Sequence, residues 1–294
     1  MEIIRAEKMG FCFGVKNAIN LCNNLIKKKN FLGNIFILGM LVHNKNVTKS
    51  MEEKGFITLP EEDLETGKVK LTEKDIIIIR AHGTTKGIYD ILEREKVKIY
   101  DATCVFVEKI RKTLIESEKN GKKIIFIGDK FHPEVKGIVS FGHDVVVLDS
   151  FEELKNFSID EKAEYTLLTQ TTLNKELFFK IKDYVEKNYK NIEIFSKICG
   201  ATYERQKAVE KLAEITDIVL IVGDKKSSNT KKLYEISKTI NNKSYLIEDS
   251  SYLKSSWFTN VKKIGITAGA STPEEIILDI EKDIRGTFND KYGL

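Results

Sequence analysis

One stretch of this chain reads KIIFIGDKFHPE (123–134), an apolar run that ends at a glycine and continues into polar residues. The same pattern occurs twice more, in NIFILGMLVHN (34–44) and IVLIVGDKKSSN (218–229). Apolar runs of this length bounded by glycine are typical of buried strands. A polar residue stands four positions after each glycine: His43, His132 and Ser227. We therefore interpret the three stretches as equivalent strands of three repeated units.

A cysteine and a second strand complete each unit at nearly constant spacing. The cysteine stands 27, 24 and 24 positions before the glycine, at Cys12, Cys104 and Cys199. Helical periodicity between cysteine and strand predicts helices over 15–28, 105–120 and 201–216. A second apolar run ending in two hydroxyl residues follows in each unit, at 75–85, 165–173 and 262–272. The agreement of several spacings favours a true internal repeat over chance.

Alternating strands and helices predict parallel sheets, and in such sheets ligands bind outside the carboxyl ends of the strands. We therefore expect a trefoil-like α/β fold, in which three similar lobes bring their polar strand ends to one centre. The expected lobes cover 1–98, 99–195 and 196–283, and a C-terminal tail covers 284–294.

The bulk composition is that of a globular protein. Of 294 residues, 41% are hydrophobic and 31% are charged, and the net charge is +4 from 48 basic and 44 acidic side chains. Short lysine runs alternate with acidic stretches, so we expect no nucleic-acid partner, although a mildly basic surface favours an acidic protein partner. No apolar run approaches the ~20 residues that span a bilayer, and the N-terminus lacks the apolar core of a signal peptide. We expect a cytoplasmic protein without a membrane partner.

Four cysteines in a cytoplasmic chain indicate metal binding, catalysis or packing rather than disulfides. Cys12, Cys104 and Cys199 each stand just before a predicted helix, whose N-terminus favours the thiolate. Three converging thiolates suit a soft metal or an iron–sulfur cluster at the centre of the lobes. Cys22 falls on the apolar stripe of the first helix, so we assign it to core packing. Three protein ligands leave one metal position open for a substrate.

Histidine, hydroxyl and amide side chains follow the predicted strands and form a collar of hydrogen-bond donors. The collar consists of His43, His82, His132, Ser227, Ser228, Asn229 and Ser271. Such a set suits a phosphate or diphosphate, which accepts many N–H and O–H hydrogen bonds. Glu134 is either a solvated loop residue or a proton donor whose pKa the surrounding negative charge raises. Thr171 is placed to orient Glu134 or a substrate hydroxyl.

These loops resemble one known family, 4-hydroxy-3-methylbut-2-enyl diphosphate reductase, the last enzyme of the non-mevalonate isoprenoid pathway. The matching stretches run in the family's order to about residue 283: GFCFGV (10–15), VHN (42–44), AHG (81–83), DATC (101–104), HPEV (132–135), TQTT (169–172), CGAT (199–202), SSN (227–229) and TAGAS (267–271). Together they are highly specific, although each is weak alone. Val105 and Phe131 depart from the family, which often has proline and glycine there, but neither departure removes a ligand or a donor.

The resemblance implies an oxidoreductase with one 4Fe–4S cluster held by Cys12, Cys104 and Cys199, whose fourth iron binds the substrate hydroxyl. It implies that the collar residues and Thr171 bind the substrate, and that Glu134, helped by Thr171, delivers a proton. Two electrons and two protons then remove water and yield isopentenyl and dimethylallyl diphosphates. The implied partner is an electron donor protein such as a ferredoxin or a flavodoxin.

Two other interpretations stay open on the sequence. A non-catalytic iron–sulfur redox sensor or electron carrier needs the cysteines but neither Glu134 nor the collar. A zinc-dependent hydrolase of phosphorylated substrates needs the polar residues and a different metal. Colour separates zinc from iron–sulfur, and turnover of the allylic diphosphate with a chemical reductant separates an enzyme from a sensor.

Overall fold

Parallel β-sheets form the framework of the chain. The computed structural model describes residues 1–28, 32–195 and 199–292. Over these ranges the strands form three four-stranded sheets in which every strand pair is parallel. Helices lie between the strands in all three sheets. The expected α/β class, with one parallel sheet for each of the three repeated units, is therefore confirmed.

The chain starts with the strand β1 (Glu2–Arg5) and the helix α1 (Phe13–Lys27). The first sheet contains β2 (Ile35–Leu38), β3 (Ile57–Leu59), β4 (Ile76–Ile79) and β5 (Lys98–Asp101). Its connections carry α2 (Lys45–Glu53), α3 (Glu61–Glu65) and α4 (Lys86–Arg94). The strand order is β3-β2-β4-β5. The two central strands are apolar almost throughout, as expected for strands covered on both faces.

The second sheet follows the helix α5 (Val105–Lys119). Its strands are β6 (Lys123–Ile127), β7 (Val145–Leu148), β8 (Tyr165–Thr169) and β9 (Ile192–Ile194). Its connections carry α6 (Pro133–Val139), α7 (Phe151–Asn156) and α8 (Lys175–Asn188). The strand order, β7-β6-β8-β9, repeats that of the first sheet.

The third sheet follows the helix α9 (Gly200–Ile215). Its strands from this part of the chain are β10 (Ile218–Val222), β11 (Ser244–Ile247) and β12 (Lys263–Ala268). The remaining helices are α10 (Ser228–Ile240), α11 (Glu274–Tyr292) and two short 3₁₀ turns, Ser250–Tyr252 and Ser255–Phe258. The strand order is β11-β10-β12-β1, so the N-terminal strand takes the fourth position.

The sheets differ from the expected lobe boundaries at both ends of the chain. β1 lies within the segment 1–98 that was expected to form the first lobe, yet it pairs with β12, where Ile4 is aligned with Gly265. The edge of β12 needs a partner for its backbone groups, and the N-terminal strand supplies it. At the other end, the expected tail over 284–294 continues α11 as far as Tyr292. Residues 196–198, where the third lobe was expected to start, lie outside the described residues. Residues 293–294 lie outside them as well.

Successive residues of a strand face opposite sides of its sheet, and helices cover both sides. In the third sheet, Leu220 packs with residues of α11 on one face, whereas Ile221 packs with residues of α9 and α10 on the other. In the second sheet, Ile125 faces α8 and Phe126 faces α5 and α6. This period-two pattern is the reason that continuous apolar runs in the sequence become buried central strands.

The chain divides into two compact units. One unit comprises Met1–Val15, His43–Val47 and Gly200–Leu294, and it contains the third sheet. The other comprises Lys16–Val42 and Thr48–Cys199, and it contains the first and second sheets. We call them the one-sheet unit and the two-sheet unit.

Candidate functional site

The three repeated cysteines occupy equivalent places in the topology. Cys12 follows β1, Cys104 follows β5 and Cys199 comes after β9, so each cysteine follows the fourth strand of a sheet. Each also precedes a helix, α1, α5 or α9, at a distance of no more than one residue. All three thiols are partly exposed. The thiolate is the form of a cysteine side chain that binds metals.

A buried arginine holds the loop that carries Cys12. Arg205 of α9 is 6% exposed, and its Nη2 donates to the carbonyl oxygen of Gly10 at 2.6 Å. Gly10 has φ +67°, a conformation that favours glycine. The N–H of Cys12 donates to the carbonyl oxygen of Ala270 at 3.1 Å. The loop is therefore fixed to β12 and α9 within the one-sheet unit.

The loop at His82, which lies beside Cys104, is held in the same way. Arg80 donates from Nε to the carbonyl oxygen of Gly83 at 3.2 Å and pairs with Glu61 at 2.9 Å. The N–H of Cys104 donates to the carbonyl oxygen of Ala81 at 2.9 Å. Arg80 and Arg205 are not among the site residues predicted from the sequence. The only signal for Arg80 is its charge at the end of an apolar strand, and Arg205 gives none.

The fourth cysteine has a different environment. Cys22 is fully buried on α1, as the apolar stripe predicts. Burial raises the pKa of its thiol to about 12. Because a metal ligand must be the thiolate, Cys22 is poorly suited to that role.

The donor chemistry of the cysteines fits an iron–sulfur cluster. Three cysteines are partly exposed and directly precede helices, and the fourth, Cys22, is buried in the core. Within 1–28, 32–195 and 199–292, no group of three or more His, Cys, Asp or Glu side chains is arranged to hold a metal ion. The fit therefore rests on thiol exposure and helix position at each cysteine.

Glu134 lies in the first turn of α6 and is 2% exposed. Its two carboxyl oxygens accept hydrogen bonds from the backbone N–H and the hydroxyl of Thr171, each at 2.7 Å. Burial raises the pKa of the Glu134 carboxyl, and the two hydrogen bonds from Thr171 offset only part of the rise. The interpretation of Glu134 as a solvated loop residue is therefore wrong. A buried carboxyl of this kind holds a proton more readily than an exposed one.

His132 caps α6 with its side chain. Its Nδ1 accepts a hydrogen bond from the N–H of Glu134 at 3.1 Å, which assigns the ring proton of the neutral imidazole to Nε2. The ring of His132 meets that of His82 edge to face, with 5.9 Å between centroids. The two-sheet unit thus brings together four of the predicted site residues: His82, His132, Glu134 and Thr171.

The one-sheet unit contains the other predicted polar residues. Ser227 caps α10, because its hydroxyl oxygen accepts from the N–H of Thr230 at 3.3 Å. Ser228 and Asn229 form the first turn of the same helix. Asn229 is 5% exposed, and neither atom of its amide has a hydrogen-bond partner within the described part of the chain. A buried amide in that state is suited to a ligand, because an unsatisfied polar group is unfavourable.

Ser271 and His43 also lie together in the one-sheet unit. The hydroxyl of Ser271 donates to the backbone carbonyl oxygen of His43 at 2.9 Å. Asn44, which the sequence analysis did not select, accepts from the N–H groups of Asn46 and Val47 and so caps α2. The feature of the sequence that points to Asn44 is its position directly after His43, at the end of a predicted strand.

Gln170 is a further residue that the sequence analysis missed. It is 4% exposed, and its Oε1 accepts from the N–H of Asp129 at 3.1 Å. This bond joins the end of β8, beside Thr171, to the loop that leads from β6 to Glu134. Gln170 therefore positions the two partners of the carboxyl–hydroxyl contact. Its location inside TQTT (169–172), beside Thr171, is its one signal in the sequence.

The fold and these loops define a class of protein. It is an α/β protein built of parallel sheets, with cysteines at helix N-termini and clustered histidine, hydroxyl and carboxyl side chains at the carboxyl ends of its strands. None of the helices in the described ranges has the length and apolar character that a membrane span requires.

The chain belongs to the LytB protein family, whose model matches residues 3–285. This match confirms the resemblance found in the loops.

Curated relatives and solved structures agree with the family. The chain is 56% identical over 288 residues to a 4-hydroxy-3-methylbut-2-enyl diphosphate reductase of Fusobacterium nucleatum, covering 98% of the chain but 34% of that relative. The chain therefore spans about a third of the length of that relative. A reductase of the same name from Campylobacter hominis is 42% identical and is matched over 97% of this chain and 98% of its own.

Two solved structures have similar folds. The reductase structure from Plasmodium falciparum has a TM-score of 0.87 at 30% identity, covering 97% of this chain and 87% of that chain. A structure described as (E)-4-hydroxy-3-methyl-but-2-enyl diphosphate reductase has a TM-score of 0.68 at 33% identity, covering 97% and 99% of the two chains.

Proposed function

We propose that this chain is an oxidoreductase of isoprenoid biosynthesis that removes the hydroxyl group of 4-hydroxy-3-methylbut-2-enyl diphosphate. The allylic alcohol takes up two electrons and two protons, its C–O bond breaks, and the products are one water and isopentenyl or dimethylallyl diphosphate. The names of the family's relatives and the similarity over 98% of the chain support this reaction. Within the molecule, the carboxyl of Glu134 carries the proposal.

The pair of Glu134 and Thr171 supports proton delivery. Hydroxide is a poor leaving group and water is a good one, so a proton must arrive as the C–O bond breaks. Burial keeps the carboxyl of Glu134 protonated closer to neutral pH, and its Oε2 lies 2.7 Å from the hydroxyl of Thr171. That hydroxyl can accept a proton from the carboxyl while donating its own to a bound substrate.

The cysteines are proposed to hold one 4Fe–4S cluster through Cys12, Cys104 and Cys199. When bound, such a cluster would supply electrons and, at an iron without a cysteine ligand, a Lewis acid for the substrate hydroxyl. Each of the three cysteines directly precedes a helix, α1, α5 or α9. The buried Cys22 takes no part in ligation.

The collar is proposed to bind the diphosphate. It consists of His43, His82, His132, Ser227, Ser228, Asn229 and Ser271. Capping fixes the orientation of two of these side chains, because Nδ1 of His132 and the hydroxyl oxygen of Ser227 accept the N–H groups of Glu134 and Thr230.

The test is steady-state turnover of the allylic diphosphate by anaerobically purified protein with a strong chemical reductant. Wild-type protein should be brown and should form both isoprenoid diphosphates. Glu134→Gln should keep the cluster spectrum and most of the substrate affinity while kcat falls at least ~10²-fold, the lower limit of general acid catalysis. Thr171→Ser, which keeps the hydroxyl, is the matched control and should retain most of the activity.

Each failure has a distinct meaning. A brown protein without turnover would favour a redox sensor or electron carrier. A colourless zinc protein would favour the hydrolase. If Glu134→Gln keeps more than about a tenth of the wild-type kcat, against the expected ~10²-fold loss, the proton comes from another group.

A further inference from the structure

Exposed aromatic side chains surround two loops of the second sheet. Phe131 is 71% exposed and Phe106 is 43% exposed. Phe195, which follows β9, is 37% exposed. None of the three is used by the proposed reaction, and exposed apolar surface of this kind marks a contact site when it is contiguous.

The topology places the three rings at one edge of the sheet. Phe131 and Phe195 follow the carboxyl ends of β6 and β9. Phe106 lies in the first turn of α5, and because α5 leads into β6, its N-terminus is at the same edge. Cys104 occupies the N-cap position of this helix, directly before the turn that contains Phe106. The aromatic surface thus lies beside a proposed ligand of the cluster.

Lysines cover the same surface. Lys130 and Lys136 lie over the ring of Phe131, at 5.6 and 6.0 Å from its centroid. Lys109 lies over the ring of Phe195 at 5.5 Å. We call the three aromatic residues and these three lysines, all of the two-sheet unit, the aromatic–lysine patch.

Nearby acidic groups do not cancel the positive charge. Glu108 on α5 pairs with Lys112 at 2.8 Å, and Glu193 on β9 pairs with Lys122 at 2.6 Å. Asp129, whose carboxylate accepts a hydrogen bond from the N–H of Phe131, offsets at most one of the three lysine charges. The patch therefore presents apolar rings with a basic rim.

We propose that the aromatic–lysine patch is the docking surface for an acidic electron-donor protein that carries its flavin or iron–sulfur group near its own surface. The inference rests on the proposed function, which needs two electrons per turnover. Such a donor supplies them one at a time, from two reduced molecules that each become oxidised by one electron. Charge complementarity favours an acidic partner, and steering by opposite charges speeds encounter in the small, transient interfaces of redox proteins.

A second copy of this chain is a poorer occupant. A two-fold contact would bring the same patch of each copy together, so lysines would face lysines. Aromatic rings at the centre and cations at the rim instead match the composition of interfaces with a different, oppositely charged partner.

The first measurement is binding of oxidised flavodoxin, an acidic flavin protein, to the cluster-containing enzyme by titration calorimetry at low salt. The patch variant is Lys109→Glu with Lys130→Glu and Lys136→Glu. The matched control is Lys119→Glu with Lys162→Glu and Lys190→Glu. These three exposed lysines lie at the opposite, amino edge of the same sheet. The two triple variants change the net charge equally.

The patch variant should bind flavodoxin at least about tenfold more weakly than the control variant. This difference in affinity should shrink as the salt concentration is raised. Phe131→Ser should weaken binding more than Phe179→Ser, which alters a similarly exposed ring on α8. Equal affinities in the patch and control variants would overturn the inference. The inference would also be overturned if sedimentation showed that the wild type forms a dimer and the patch variant does not. That result would mean that a second copy of this chain occupies the patch.

Turnover distinguishes this inference from the proposed function. With reduced flavodoxin, kcat/KM for the donor should fall about tenfold in the patch variant, in line with the affinity loss. With a chemical reductant, the patch variant should match wild type. If wild type itself does not turn over with the chemical reductant, the proposed function fails, and the docking inference fails with it.

Discussion

At the residue scale, Glu134 shows how burial changes the chemistry of a common side chain. Both of its oxygens are directed at Thr171, in a site that is 2% exposed. Loss of hydration raises the pKa of the carboxyl above its ordinary value of 4.5. The neutral form can donate from one oxygen to the Thr171 hydroxyl and accept the Thr171 N–H with the other, so these contacts accommodate the protonated acid as well as the carboxylate, and burial favours the acid.

This shift predicts how stability depends on pH. The raised pKa means that folded protein holds a proton that the unfolded chain has released. Stability should therefore fall as pH rises from about 4.5 through the raised pKa of Glu134. Glu134→Gln mimics the neutral acid and should lose less stability over that window, as measured by urea unfolding at a series of pH values.

Glu118 provides the control with the opposite sign. Burial would raise its pKa, but the N–H groups of Asp144 and His143 lower it overall. The contribution of Glu118 to the free energy of unfolding is fully present above pH 4.5 and is lost as pH falls through the lowered pKa. Glu118→Gln should therefore lower the free energy of unfolding at neutral pH. A Glu134→Gln profile parallel to that of wild type would show that the carboxyl is already ionised in the fold.

Cys22 yields a second prediction at this scale. Cys22→Ser buries a hydroxyl at a fully buried site and should destabilise the protein by about 1–3 kcal/mol. The iron content after anaerobic purification should equal that of wild type, whereas Cys104→Ser should lose iron. Cys22→Ala separates the effect of the hydroxyl from that of the lost sulfur. Iron loss in Cys22→Ser as severe as in Cys104→Ser would contradict the three-cysteine proposal.

At the element scale, the polar residues after the first strands begin helices. Asn44, His132 and Ser227 accept backbone N–H groups at the starts of α2, α6 and α10. A helix start leaves N–H groups without partners, and a side-chain acceptor satisfies one of them. At two of the three repeated positions, His132 and Ser227, the polar residue itself caps the helix, whereas in the first unit the cap is Asn44, one residue after His43.

His132 allows the two roles to be separated. His132→Asn removes the ring but keeps a good capping residue, whereas His132→Ala removes both. Diphosphate binding should weaken in both variants. Thermal unfolding should show His132→Ala less stable than His132→Asn by about 0.5–2 kcal/mol, the usual contribution of a helix cap. Equal stability of the two variants would mean that the bond from the Glu134 N–H contributes nothing.

At the scale of the whole molecule, β1 completes a sheet formed by the other end of the chain. It pairs with β12 along its length, and Arg5 forms ion pairs with Glu274 and Glu281 of α11. These ion pairs are partly exposed and contribute modestly. The backbone pairing is therefore the main reason that the N-terminal strand belongs to the third sheet.

Deletion of residues 2–5 should therefore act on the third sheet. Hydrogen exchange measured by mass spectrometry should show faster exchange in β12, because its edge loses a parallel partner. Peptides of β4 and β8 serve as internal controls and should keep wild-type exchange. Faster exchange confined to the first sheet would instead support the expected lobe over 1–98.

Much of the fold could be predicted from local patterns. The helices expected over 105–120 and 201–216 are found at Val105–Lys119 and Gly200–Ile215. Their apolar periodicity is set within a few turns of chain. The assignment of β1 could not be predicted, because its short sequence, EIIR, carries no information about which distant edge it joins.

The sequence by itself determined the three cysteine-to-strand spacings, the parallel α/β class and the polar residues at strand ends, because each depends on residues close together in the chain. The tertiary structure alone decided which groups meet. Glu134 and Thr171 are 37 positions apart, and Arg205 reaches Gly10 across 195. Those contacts depend on how sheets and helices pack, and the burial that raises the pKa of Glu134 arises only from that packing.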